Sequence, residues 1–318
     1  MARGPDSDAQ RLDDAARAGW LYYVAGNTQD QIARKLGLSR QSAQRLVSLA
    51  LERGLIKFRL DHPIARCMEL ARSLTDRHGL AHCEVSPSDP ASRTATLGIA
   101  QLAAEEMERW LRRPDPCVIG IGTGRTMRAV ADRLPQMECP QHKLVSLVGT
   151  AKLDGSTSFY DVIIRASDTV RAPHYPLPLP VFARSPAERD ALLALASVRN
   201  VLELAAKAEA AFVGIGPLGD DAPLLLDGFI DASEHAALRR AGAVGEVTGW
   251  AFDASGTLIE GLTNDRVASV RPVPGAGRRT ICVAMGESRL PALRAALRGK
   301  LVNGLVTDER TAEMLLGD

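Results

Sequence analysis

Gly120-Ile121-Gly122-Thr123-Gly124-Arg125-Thr126 follows an apolar run and precedes a helical pattern, and it holds the residue types that grip an anion. Small residues let backbone N–H groups close on a ligand, and the start of a helix favours negative charge. Gly122 and Gly124 would supply the close backbone, Thr123 and Thr126 the hydroxyl donors. Arg125 adds a planar fork that can bond a phosphate at two points. No G-K-[ST] follows at the Walker A spacing, so this is not that nucleotide loop. Tight turn packing is the alternative use of such glycines.

The stretch TQDQIARKLGLSRQSAQRLVSLALER, residues 28–53, offers different chemistry. The outward side of its last helix carries Arg40, Gln41, Gln44 and Arg45 near the N-terminal end, where a recognition helix meets base edges in the major groove. Arginine can bond guanine at two points and glutamine can bond adenine. Thr28, Gln29, Ser39 and Ser42, at the two helix starts, complete this candidate DNA-facing set. From Gln31 to Leu60 the basic residues Arg34, Lys35, Arg40, Arg45, Arg53, Lys57 and Arg59 face the single acid Glu52, a local charge of +6 (seven minus one) in a chain of net charge +1. Phosphate neutralisation needs such local asymmetry. The bland alternative is a charged helical hairpin with no nucleic-acid partner.

The elements that must position these groups can be read from periodicity. Residues 1–10 read as a polar tail. From Leu12 the positions Leu12, Ala15, Ala16, Trp20, Tyr23 and Val24 recur at helical spacing, and Gly26-Asn27 ends that helix. Thr28 with Gln31 forms a capping box for a second helix through Leu36. Gly37-Leu38 turns, and Ser39 caps a third helix with a stripe of Ala43, Leu46, Val47, Ala50 and Leu51, closed by Gly54. Ile32, Leu36, Leu38, Leu46 and Val47 should fill the small core, with Ala33 where the helices cross. Leu55–Leu60 alternates apolar and basic residues like a half-exposed strand, so Lys57 and Arg59 would form a basic wing. A winged helix-turn-helix over residues 1–60 is expected. A linker helix over 61–80 should follow, with Ile64, Cys67, Met68, Ala71 and Leu74 on one side.

Beyond residue 80 short apolar runs alternate with helices: residues 117–122, 144–148, 211–215, 281–285 and 301–306, with a helix over about 125–134 and helical patterns after the last two. That grammar implies an α/β domain with a mainly parallel sheet covered on both faces, over residues 81–318. Ligands in such sheets bind beyond the carboxyl ends of the strands. His174–Pro180 is proline-rich and extended. A length of 318 residues suits two domains, and 46% hydrophobic with 24% charged residues is ordinary for a soluble globular chain.

Cys67, Cys83, Cys117, Cys139 and Cys282 are odd in number and form no C-x-x-C pair, which fits a reducing cytoplasm and no disulfide framework. His78, His82, His142, His174 and His235 have no metal-ligand spacing and read as core or surface histidines, so no metal or cofactor is expected. There is no secretory signal and no apolar run of membrane-spanning length, so a cytoplasmic protein without a membrane partner is expected.

Residues 16–63, VIGIGTGRTM (118–127), GIGPLGD (214–220), GEVTGWAFDASG (245–256) and ALRGKLVNGLVTDERTAEMLL (296–316) together resemble the SorC/DeoR-type family of sugar-binding transcriptional regulators. The resemblance runs in order over nearly the whole chain. It implies a winged helix-turn-helix joined to a domain like glucosamine-6-phosphate deaminase and ribose-5-phosphate isomerase. The implied partners are palindromic double-stranded operator DNA, a phosphorylated sugar or polyol effector, and copies of the chain in a dimer or tetramer. It also implies that Gly149-Thr150 and Gly214-Ile215-Gly216 line the effector pocket and that Glu246 meets sugar hydroxyls. Asp253 reads equally as a ligand or a turn residue, Asp308 as a helix cap or a ligand, and Lys152 as a loop lysine or a contact. Arg289 stands where the family usually has lysine, exchanging a point charge for a fork. An isomerase is one competing reading, but it needs an acid–base pair, and Asp154-Gly155-Ser156 lacks the second acid of such an enzyme's Asp-Gly-Ala-Asp-type stretch; a constitutive DNA-binding protein with a non-functional sensor domain is the other.

Overall fold

The computed structural model describes residues 5–56, 64–89, 96–151, 156, 162–273 and 277–317, and the chain divides into two compact units, Met1–His62 and Pro63–Asp318. The first unit contains α1 (Pro5–Tyr23), α2 (Gln29–Leu36) and α3 (Arg40–Glu52). The expected capping box is present. Thr28 Oγ1 accepts from Gln31 N at 3.3 Å, and Gln31 Oε1 accepts from Thr28 N at 2.8 Å. Gly37 ends α2 in the left-handed conformation at φ 66°, which glycine adopts without strain. Ser39 Oγ then caps α3 by accepting from Ser42 N at 3.1 Å.

The small core is Ala18, Ile32, Ala33, Ala43 and Val47, with Leu21, Tyr23, Leu36 and Leu46 against it. Several sequence expectations shift here. Helix α1 starts at Pro5, inside the stretch expected as a tail. It buries Ala15, Ala18 and Gly19 while Trp20 and Val24 are exposed. The cause is close packing: a Cβ on Gly19 would lie 2.8 Å from Ala50 Cβ, so the helices meet along small residues. Leu38 and Leu51, expected inside, are exposed. Residues 57–60, with Lys57 and Arg59, lie outside the described residues, and so does the wing read on them.

The second unit runs α4 (Ala65–His78), β1 (His82–Ser86), α5 (Leu97–Leu111), β2 (Val118–Ile121), α6 (Arg125–Arg133), β3 (Lys143–Ala151), α7 (Val162–Val170), β4 (His174–Pro180), α8 (Pro186–Leu193) and α9 (Ala196–Ala206). It continues with β5 (Ala210–Val213), β6 (Gly216–Pro217), α10 (Pro223–Leu226), α11 (Ala232–Arg240), β7 (Ala243–Val247), β8 (Trp250–Asp253), β9 (Arg279–Val283), α12 (Leu290–Arg298), β10 (Gly304–Asp308) and α13 (Glu309–Leu316). The helix expected as a linker, α4, packs on β1 and α13 of this unit through Cys67, Leu70 and Leu74, while Met68 points out.

Seven strands form a parallel sheet in the order β1-β10-β9-β5-β2-β3-β4, and β6-β7-β8 form a small antiparallel sheet. Strand side chains alternate between two cores with the period of two that a strand imposes. Ile119, Ile121, Phe212 and Ile281 join α5, α6 and α7 on one face. Ala211, Val213 and Cys282 join α4, α12, α13 and the small sheet on the other. The proline-rich run is the edge strand β4, a position where a missing N–H costs no ladder bond. From β2 the chain winds outward through β3 to β4, whereas from β5 it winds the other way through β9 to β10. Strand order therefore reverses between β2 and β5, opening a crevice beyond their carboxyl ends. Among the described residues no helix is long and apolar enough to cross a membrane.

The cap geometry yields one test. Thr28→Ala should destabilise the N-terminal unit by about 1 kcal/mol, read as a lower denaturation midpoint of that unit, with the larger unit's transition unmoved.

Candidate functional site

On the first unit, α3 turns Ala43, Val47 and Ala50 inward, so Arg40, Gln41, Gln44 and Arg45 are all exposed along its first two turns. Gln29 and Ser42 are half-buried. The hydroxyls of Thr28 and Ser39 already serve as caps, so their contribution to this face is to hold the helix starts. Asp30, which the charge reading passed over, stands 3.5 Å from Arg40 Nε through its Oδ1.

On the second unit, the β2/β5 crevice is a cavity of about 130 Å³. One water needs roughly 10–15 Å³ on this measure, so the space is that of a small metabolite. Gly122 continues β2, donating its N–H to Phe212 O at 2.8 Å. A Cβ there would lie 3.2 Å from Phe212 O. Gly124 has φ 105° and ψ 175°, a backbone shape open to glycine, and it turns the chain into α6. The first α6 bond runs from Arg128 N to Gly124 O, so the amides of Arg125, Thr126 and Met127 precede any intrahelical acceptor. Thr123, Thr126 and Arg125 line the same cavity. The sequence-read cradle is thus assembled as one surface.

The opposite wall comes from β5 and the small sheet. Val247 and Trp250 pair across a two-residue turn, Thr248-Gly249, with φ of 51° and 87°, as a type I′ hairpin requires. Gly249 N donates to Glu246 Oε2 at 2.8 Å, which fixes the carboxyl group. Its Oε1 lies over Gly216, where a Cβ would approach to 2.1 Å. Gly216 is therefore needed to seat Glu246, and Gly214 lines the cavity beside it. Glu246 keeps part of its surface toward the cavity while protein surrounds it on all other sides. That burial pushes its carboxyl above the ordinary glutamate range, against the pull of the Gly249 N–H.

Arg289 completes the polar set, reached through the Gly286 turn at φ 103°. Its Nη1 donates to Met285 O at 3.2 Å, and no carboxylate pairs with it among the described residues. Burial pulls its pKa below the ordinary arginine value, against the longer-range attraction of Cys282 and the Asp221 carboxylate, and the charge of Arg125 adds to the lowering. Arginine still stays protonated. Arg125 is mostly exposed and lies 3.4 Å from Asp227 Oδ1. Val148, Val181, Leu224 and Phe229 supply apolar wall.

Three sequence-read residues lie off the cavity. Gly149 belongs to the β3/β4 packing, since a Cβ there would meet Leu179 O at 2.6 Å, and its N–H goes to Ser269 Oγ at 3.2 Å. Thr150 Oγ1 donates to Leu177 O at 3.3 Å, tying β3 to its edge neighbour. Asp253 is the turn residue of its two readings: Oδ1 accepts from Ser255 N at 2.9 Å and Thr257 N at 3.0 Å. Asp308 caps α13 through Thr311 N at 3.1 Å. Lys152 and the Asp154-Gly155 stretch lie outside the described residues. Asp227, Phe229 and Thr248 were not singled out from sequence; only Thr248-Gly249 had a local signature, a two-residue turn between apolar strands. His82, Glu84 and Glu106 have possible ligand atoms within 4.8 Å of one another. Arg109 pairs with both carboxylates and Arg279 reaches Glu106, so their charge is already balanced.

A parallel sheet with a reversal crevice lined by arginine, glutamate and hydroxyl groups, joined in one chain to a helix-turn-helix with an exposed arginine and glutamine face, is the build of a ligand-binding transcriptional regulator. Residues 62–317 match the family model described as "Putative sugar-binding domain". The chain is 34% identical over 303 residues to the erythritol catabolism regulatory protein EryD of Brucella abortus, covering 95% of this chain and 96% of that protein. It is 31% identical over 318 residues to the transcriptional regulator LsrR of Klebsiella pneumoniae, covering 95% and 92%. The crystal structure of the full-length sorbitol operon regulator SorC from Klebsiella pneumoniae superposes with a TM-score of 0.70 at 24% identity, covering 96% of this chain and 99% of that one. The chain belongs to the SorC/DeoR-type family of sugar-binding transcriptional regulators.

The Glu246 carboxyl carries a pH signature. Because its folded-state pKa is raised, ionisation costs folding stability above the ordinary glutamate range and costs nothing below it. Glu246→Gln should therefore melt higher than the parent at pH 8 and alongside it at pH 4. Equal melting points at both would remove the burial argument.

Proposed function

We propose that this regulator governs a carbohydrate or polyol catabolic operon and that its effector is a small phosphorylated sugar or polyol held in the β2/β5 crevice. One observation carries the reading: Arg289 is a half-buried cation with no carboxylate at ion-pairing distance among the described residues, only the longer-range attraction of Asp221, on the same cavity as the start of α6. A partly buried charge without a close counter-ion is costly, and an anionic ligand supplies one. Glu246, an acceptor when ionised, gives the uncharged part of the ligand its reading of hydroxyls. The volume suits a short chain, in keeping with the similarity to a regulator named for erythritol catabolism. The chain acts without catalysing a reaction, as a homodimer or tetramer whose paired α3 helices meet two operator half-sites. The effector works to the extent that it binds one arrangement of the assembly better than another.

Thermal-shift titration with four- to six-carbon sugar and polyol phosphates, beside their unphosphorylated counterparts, tests this directly. A phosphorylated compound should raise the melting temperature and alter operator binding; a response confined to the unphosphorylated compounds would overturn the anion assignment. Arg289→Met should weaken that compound roughly tenfold to a hundredfold, with effector-free operator binding retained. Asp227→Asn should tighten it about two- to fivefold, since Asp227 competes with the ligand for Arg125; weaker binding would instead make Asp227 a hydroxyl reader. Arg45→Ala should weaken operator binding roughly tenfold or more while the effector's thermal shift is unchanged.

A further inference from the structure

Asp30 sits in the first turn of α2 and Arg40 is the first residue of α3, with Arg40 Nε 3.5 Å from Asp30 Oδ1. Between Thr28 and Glu52 these helices hold two acids, Asp30 and Glu52, at opposite ends. Asp30 thus places a negative charge at the end where duplex phosphates approach, and such a charge opposes binding to any sequence. The pair contributes little to folding, since its side chains are 69% and 60% exposed.

Its consequence is geometric. A guanidinium offers its donors in a rigid fork. When a carboxylate holds the Nε edge, the Nη1/Nη2 edge is left to face outward from the N-terminal end of the recognition helix. That edge matches guanine O6 and N7. Arg34, one turn further along α2, does not compete for the carboxylate: its Nε lies 3.4 Å from the Asp30 main-chain oxygen. Gln41, Gln44 and Arg45 have no such buttress among the described contacts.

We propose that Asp30 is a positioning residue that aims Arg40 at one guanine in each operator half-site, exchanging general duplex affinity for base selectivity. The proposal rests on α3 being the DNA reader.

The experiment uses the full chain. Binding sites are selected from a random duplex pool with the parent protein, and affinities for the selected site, its single-base variants and a random-sequence duplex are measured for the parent, Asp30→Ala, Asp30→Asn and Arg40→Ala. Asp30→Ala should bind random duplex as tightly as the parent or a few-fold tighter. It should lose roughly five- to tenfold of the preference for guanine at one half-site position. Asp30→Asn should fall between, and Arg40→Ala should lose the preference at that same position and weaken binding to every duplex. Unchanged base preferences in Asp30→Ala would overturn the proposal, as would an equal loss of affinity for all sequences, the mark of a merely structural role. If Arg40→Ala binds every duplex like the parent, the reading of α3 fails as well, an outcome distinct from failure of the buttress alone.

Discussion

Between β2 and β5 the parallel sheet changes winding direction, and the loops leaving these neighbouring strands part to opposite sides. That reversal leaves the start of α6, the Gly214–Gly216 segment and Arg289 after the Gly286 turn lining one space. The two cores on either side of the sheet hold this reversal rigidly. Ile119, Ile121 and Phe212 are anchored under α5 and α6, and Ala211 and Val213 under the small sheet. The cavity-lining groups therefore sit at strand ends, whose positions are set by packing.

Within that frame, glycine is used for proximity and for conformation. Gly216 makes room for Glu246 Oε1, and Gly124 supplies the turn into α6 that points amides at the cavity. The same residue type at Gly149 serves only the close approach of β3 to β4. This difference explains why three glycine-containing strand ends that look alike in sequence divide between cavity and scaffold. The neighbours that decide the matter, Leu179 in one case and Glu246 in another, are about thirty residues away.

The readable parts of the chain were those governed by local rules. Caps at Thr28 and Ser39, the glycine stop at Gly37 and the strand–helix alternation all depend on residues a few positions apart, and the structure has them where the sequence put them. The glycine-rich turn from β2 into α6 was legible for the same reason. Depth was less legible. Trp20, Val24 and Leu51 fit an apolar stripe but lie outside, because the Gly19–Ala50 contact brings α1 and α3 together along their smallest residues, and Leu38, expected in the core, is exposed in the turn between α2 and α3. Asp227 and Phe229 carried no local signal, since their place at the cavity comes from the path of the chain after β6. Asp253 and Asp308 satisfied two readings each, and only the positions of nearby amides separate turn and cap from ligand.

The β2/β5 cavity and the exposed face of α3 share one electrostatic device and differ at one point. Arg125 and Arg40 are exposed cations, each with a carboxylate at 3.4–3.5 Å. A pre-engaged cation of this kind binds an incoming anion or base edge only by sharing or surrendering its partner, so it tunes affinity and geometry. Arg289 has no such partner among the described residues and is partly desolvated, which makes it the group with most to gain from a counter-ion. Under the proposed function, Arg289 supplies the driving force for effector binding. Arg125 and Asp227 then set how strongly the cavity holds the effector. On that proposal, an anchor without a close counter-charge and a tuner with one allow affinity to be adjusted at the rim without altering the buried site, and with α3 as the DNA reader Asp30 beside Arg40 applies the same logic there.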